Sequence, residues 1–262
     1  MNKVGVVLSG CGHQDGSEIH EAVFTLHALE KAGAEAIIMA PDMDQFHVIN
    51  HLNGNEDLSE SRNILVESAR IARGKVVDVA SVSGHQLDAL IFPGGTGMAK
   101  NIFDYSMAGI NCTVISDVQK LVVEILEANK PLGAICIAPV MVAKVLEFLG
   151  RTGTVTGGFN VEINNDIKAM GINTIEAGAE AGAVAGQHHG AHVDLRRQRL
   201  ADFDQGLKQR PVQGVVPLGA VQPHLGHRAM ALQLQDLAHR FARLSCARSM
   251  PTRSRHRVNI CR

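Results

Sequence analysis

The stretch from Lys130 to Gly150, KPLGAICIAPVMVAKVLEFLG, constrains this chain more than any other. Leu132 to Ile135 is a short apolar run whose start is flanked by Pro131 and Gly133, the pattern of a buried strand. From Ala138 to Leu149 the positions Val142, Val145, Leu146 and Leu149 recur at the spacing of one helix face. Cys136 stands at the junction. A strand that turns at once into a helix carries its junction residue to the C-terminal edge of a parallel sheet. A thiol there faces the N-terminus of the following helix, whose free N–H groups and macrodipole favour the thiolate. A cysteine taken alone is more often a small buried hydrophobe; its place at this junction is what favours chemistry.

The rest of the first two thirds alternates strand and helix. Lys3 to Leu8 reads as a buried parallel strand, rich in Val. A glycine-rich loop, Ser9 to Gly16, follows it, with Ser17 as the expected N-cap of a helix running to about Lys31. Ile19, Val23, Leu26, Ala28 and Leu29 mark that helix's apolar face. Ala36 to Met39 is a second strand, giving a βαβ opening with a right-handed crossover expected. Residues 42–58 form a long connection. The capping-box pattern Asp57-Leu-Ser-Glu60 predicts a helix over roughly Ser59 to Arg73, and Val76 to Val79 a short strand. Leu87 to Phe92 is the third main strand, Asp117 to Ala128 an amphipathic helix, Thr152 to Thr156 an edge strand, Glu162 to Met170 a short helix and Ile172 to Glu176 a strand. Asn101 to Ala108 is too mixed to assign. The alternation predicts an open, mostly parallel α/β sheet with helices on both faces.

Three loops carry polar candidates. The glycines of the first loop do not fit a dinucleotide fingerprint, and turn-making is their simpler role. His47 and His51 stand four apart, but Asn50, Asn53 and Gly54 make that segment a loop and no third ligand is evident, so no metal is expected. After the third strand, Pro93-Gly94-Gly95-Thr96-Gly97 allows backbone N–H groups to point into a site without side-chain obstruction.

Residues Gly133 to Pro139 resemble the nucleophile elbow of the PfpI-like superfamily, which shares the class I glutamine amidotransferase-like, flavodoxin-like fold. Ser9 to Gly12, Asp15 to Ala22 and the VINH segment at 48–51 narrow the resemblance to the ElbB family of glyoxalase-like proteins, over about residues 1–177. That family is associated by name with isoprenoid biosynthesis, and related folds are commonly homodimers. The resemblance implies a nucleophilic Cys136 and a glutamate at the start of the first helix, here Glu18, reaching toward it. It also implies an oxyanion hole from the backbone N–H groups of Gly95 and Ile137, and no cofactor.

Past Ala177 the resemblance stops, and so does the composition that goes with it. Residues 1–177 carry a net charge of −9 with eight Lys and four Arg; residues 178–262 carry +8 with one Lys and twelve Arg. Such a break marks a boundary between an α/β domain at 1–177 and an anomalous Arg/His/Gln-rich tail at 178–262. A frame-shifted translation or fusion of GC-rich coding DNA would produce it, and low order is expected there apart from a helical spacing over Arg228 to Leu244. Loss of the family's last strand and helix would leave the sheet an exposed edge. The tail's arginines lack interleaved aromatics, which weighs against nucleic-acid binding.

No apolar run reaches membrane length and no leader precedes Lys3, so a cytoplasmic protein is expected. Five cysteines without a CxxC pair suggest free thiols in a reducing compartment. The expected function is conversion of a small 2-oxoaldehyde substrate such as glyoxal to a 2-hydroxy acid such as glycolate. The alternative is a non-catalytic redox or stress sensor built on an oxidisable Cys136. A Cys–His glutaminase or protease is the weakest reading, since position 137 is Ile and the tail histidines His188, His189 and His192 lack an acidic partner.

Overall fold

The structure, a computed structural model, describes residues 1–176 and the strand at 215–217. In chain order the elements are β1 (Lys3–Val7), α1 (Ile19–Lys31), β2 (Glu35–Ala40), a small hairpin of β3 (Ile49–Asn50) and β4 (Asn55–Glu56), α2 (Ile64–Ala72) and β5 (Val77–Asp78). They continue with β6 (Ala89–Phe92), the short helices α3 (Met98–Asn101) and α4 (Tyr105–Ala108), α5 (Ser116–Glu127), β7 (Leu132–Ala134) and α6 (Ala138–Phe148). Last come β8 (Thr154–Val155), α7 (Val161–Ala169), β9 (Asn173–Thr174) and β10 (Val215–Pro217).

Six strands form one parallel sheet in the order β10-β7-β6-β1-β2-β5. Alternating residues leave opposite faces of a strand, and the core divides accordingly. Val4, Val6, Ala89 and Ile91 pack with Ala22, Ala28 and Leu29 of α1 and Ile64 of α2. On the other face Val7, Leu90 and Phe92 pack with Val118, Leu121 and Ile125 of α5 and Val142 and Val145 of α6. Each such side chain removed from water contributes about 1.5–3 kcal/mol. The α/β sheet covered on both faces is therefore as its alternation of elements predicts.

Several local readings change. α2 starts at Ile64, capped by the Asn63 side chain on the Val66 N–H, and not near Ser59. Asp57 instead closes a turn by accepting both the N–H and the hydroxyl of Ser59. Ser17 is not the cap of α1 either; its hydroxyl is buried against Ser9, accepting the Ser9 N–H at 2.8 Å. Residues left unassigned around 101–108 form α3 and α4. The segment expected as a sheet edge at 152–156 pairs with β9 in a separate two-stranded sheet.

Beyond β7 the sheet has one further strand. Val215–Pro217 pairs in parallel with Leu132–Ala134, so the strand that feeds the elbow has neighbours on both sides. A fully buried strand needs both, because an unpaired row of backbone N–H and C=O groups is costly. The remaining expectations for 178–262 lie outside the described residues. Among the described residues no helix is long and apolar enough to cross a membrane.

Candidate active site

β7 ends at Ala134 and α6 begins at Ala138, with Cys136 between them at φ +58. This left-handed conformation is rare for a non-glycine residue. Strain of this kind, of order 1–3 kcal/mol, is sustained only where the surroundings fix the chain. Here the Ala138 N–H donates to the Ile135 carbonyl and the Ile135 N–H to the Phe92 carbonyl, pinning both sides of the turn. Pro139 lies in the first turn of α6, where its missing N–H is not needed. The sharp turn places Cys136, a residue of intermediate exposure, at the sheet's C-terminal edge with its thiol mostly buried.

The β6–α3 loop closes over it. A side chain at Gly94 would sit 2.5 Å from Cys136 Cβ, 2.7 Å from the Ile135 carbonyl oxygen and 2.9 Å from Glu21 Oε2. Three groups thus meet where glycine alone leaves room. Gly95 has φ +112 and its Cα faces the backbone of Gly16 to Glu18, the end of the first glycine loop. The N–H groups of Gly95 and Ile137 both hydrogen-bond the Cys136 sulfur. These are the two amides expected of an oxyanion hole, and the structure brings both to the thiol.

The carboxyl group at the sulfur is Glu21, not Glu18. Glu21 is buried in the first turn of α1, hydrogen-bonded to Cys136, and its Oε2 accepts the Gly94 N–H at 2.7 Å. Glu18 precedes the helix as its N-cap. Its Oε2 accepts the Glu21 N–H at 2.7 Å and its Oε1 pairs with His20 Nδ1 at 2.9 Å, so both oxygens are directed along α1 and neither reaches the elbow. A cap side chain must fold back on its own helix to reach the free N–H groups, which is why Glu18 cannot also extend to Cys136.

The electrostatics also differ from the sequence expectation of a thiolate. Burial first, and then the charge of Glu21, push the Cys136 thiol up to about 12, against the two backbone N–H groups that favour its anion. Burial pushes Glu21 up to about 8, with the nearby Glu18 charge adding to the rise and the Gly94 N–H opposing it. A helix N-terminus and two amides thus do not outweigh desolvation beside a second acid. At neutral pH the pair is mostly uncharged. Its first proton leaves as pH rises through about 8, and that step belongs to the pair rather than to one atom.

The histidines of residues 42–58 are held structurally. His51 Nε2 accepts the Gln14 N–H and its Nδ1 faces the Ile49 carbonyl, while His47 Nε2 lies 2.9 Å from Lys100 Nζ. Among the described residues no cluster of three or more His, Cys, Asp or Glu side chains could hold a metal. Cys11 and Cys112 are also free thiols, both raised by burial. Cys136 differs from them in its strained backbone and its carboxyl partner.

No family model matches the chain. The human glutamine amidotransferase-like class 1 domain-containing protein 3, a mitochondrial protein, is 43% identical over 202 residues, which span 75% of this chain and 72% of that protein. The chain belongs to the glutamine amidotransferase-like class 1 family. At 202 residues the family likeness extends past Ala177, into the segment whose composition differs. An isoprenoid biosynthesis protein with an amidotransferase-like domain from Ehrlichia chaffeensis superposes with a TM-score of 0.74 at 29% identity, covering 93% of this chain and 99% of that one. Drosophila melanogaster DJ-1beta shares the fold at a TM-score of 0.50 and 13% identity, over 94% of each chain. The fold of the DJ-1 and PfpI-like proteins is therefore common ground for this glutamine amidotransferase-like chain, as the elbow sequence implied.

Proposed function

We propose that this chain is a cofactor-independent, glyoxalase-like enzyme of the ElbB type that converts a small 2-oxoaldehyde to a 2-hydroxy acid. The observation that supports this most is the buried carboxyl of Glu21 hydrogen-bonded to an elbow cysteine that also receives two backbone N–H groups. The Glu21 carboxylate takes the thiol proton as sulfur adds to the aldehyde carbon. The N–H groups of Gly95 and Ile137 hold the oxygen that becomes negative, and Glu21 returns the proton to it, giving a hemithioacetal. Glu21 then removes the hydrogen on the former aldehyde carbon and delivers a proton to the neighbouring carbon, while the hydroxyl proton passes to the neighbouring oxygen, leaving a thioester of the 2-hydroxy acid. Water cleaves the thioester and restores the thiol, so glyoxal plus one water becomes glycolate with no oxidant consumed.

A carboxyl that titrates near 8 suits this work, because a base is most effective when its pKa in the site lies near the working pH. A reducing compartment such as the cytoplasm suits the three free thiols among the described residues. Cys136→Ser should abolish glycolate formation from glyoxal in a direct product assay. Turnover surviving that change would refute the mechanism, and peroxide oxidation of Cys136 without any aldehyde turnover would favour the sensor.

A further inference from the structure

We infer that Glu18 is a positioning residue: its carboxylate caps the start of α1, where its own backbone N–H ties the chain to the β6–α3 loop, and sets how Glu21 holds its proton against Cys136. The inference rests on the reading of Glu21 as the proton carrier, and assigns Glu18 a role other than the direct contact with the thiol that the sequence suggested.

The geometry is a closed ring of short hydrogen bonds. The Glu18 N–H donates to the Gly94 carbonyl at 2.9 Å, and the Gly94 N–H donates to Glu21 Oε2 at 2.7 Å. The Glu21 N–H donates back to Glu18 Oε2 at 2.7 Å. Three residues from two elements therefore fix one another, and Glu21 reaches the sulfur only from inside this ring. Glutamate is not among the favoured N-cap residues, which are Ser, Thr, Asp and Asn. A shorter neutral cap would satisfy the same N–H, so what Glu18 adds is a negative charge held next to Glu21. The titratable groups facing Glu21 are Glu18 from its own helix start and Cys136 from the elbow; the β6–α3 loop contributes the Gly94 backbone N–H. Glu18 is largely shielded and its second oxygen faces His20 at the surface.

A like charge nearby disfavours ionisation of Glu21. Removing that charge should therefore move the titration of Glu21 to lower pH, by about one unit for a neighbouring like charge. Glu18→Gln keeps an oxygen to cap the helix and removes the charge; Glu18→Ala removes both.

The test is the rate of iodoacetamide alkylation at Cys136 against pH, read by peptide mass spectrometry on the full chain, because it needs no turnover. In Glu18→Gln the first rise in rate should move to lower pH by about one unit relative to the native chain. Glu18→Ala should show the same displacement together with a changed plateau rate, since the ring is then open. A first rise at the native pH in Glu18→Gln would overturn the inference and leave Glu18 as a cap only. Because alkylation is independent of aldehyde chemistry, a chain that fails to turn over glyoxal yet shows the displacement would defeat the proposed activity and uphold the role of Glu18.

Discussion

Glu21→Gln is expected to lower kcat/KM for glyoxal by about 10²–10⁴, the usual contribution of a positioned proton carrier. The substitution is nearly isosteric. Its amide oxygen still accepts the Gly94 N–H, so the loop and the elbow should keep their places, but the side chain can no longer exchange a proton with sulfur or substrate. The same change has a signature in stability. Folded Glu21 holds its proton up to about 8, whereas its ordinary value is 4.5. Between those values the folded chain retains a proton that the unfolded chain has lost, so stability falls as pH rises from 4.5 to 8. Full ionisation of a group 2% exposed would cost roughly 3–6 kcal/mol over that window. Glu21→Gln should flatten the fall in Tm across this range. Equal activity in the variant, or an unchanged slope of Tm with pH, would show that Glu21 is not the proton carrier.

Gly94→Ala should disrupt the site strongly. The added methyl would meet Cys136 Cβ at 2.5 Å and the Ile135 carbonyl oxygen at 2.7 Å, neither of which is the free end of a flexible side chain. The elbow or the loop must move. Overpacking of this kind costs about 1–3 kcal/mol in stability. Activity should fall further than stability suggests, by about 100-fold or more, because a displacement near 1 Å separates Cys136 from Glu21 and the two N–H groups. A folded Gly94→Ala chain with native turnover would mean that the contact between these three residues is not what catalysis uses. Circular dichroism and the glycolate assay on the same preparation separate the two effects.

The elbow and the sheet were legible because each rests on local pattern, whereas the Gly95 and Ile137 amides were named from the family resemblance. Apolar runs with strand length, a helix stripe after Cys136 and two glycines after a strand dictate their own geometry. Glu21 was not legible for a reason visible in α1. The apolar spacing of Ile19 and Val23 suggested the buried face, yet both are exposed, at 42% and 45%, and the buried face carries Glu21, Ala22, Thr25, Ala28 and Leu29. A carboxylate is among the residues least expected inside, and the family resemblance pointed to Glu18 at the helix start. The available signal was the three-and-four spacing of Glu21 with Thr25 and Ala28, which places Glu21 on the stripe that faces the sheet. The raised thiol was missed because the helix dipole was weighed without the desolvation that accompanies a closed loop. The pairing of Val215–Pro217 with β7 joins residues some eighty positions apart, and local pattern does not report it.

The central claim is that Cys136 and Glu21 share protons as one buried pair. The most direct measurement is the carboxyl carbon shift of Glu21 against pH, in protein labelled with ¹³C at glutamate side chains and assigned by the signal lost in Glu21→Gln. The expected curve is flat through the ordinary glutamate range and titrates near 8, with a changed midpoint in Cys136→Ser. A Glu21 signal that titrates near 4.5 and ignores Cys136→Ser would contradict the pair, and with it the proposed chemistry.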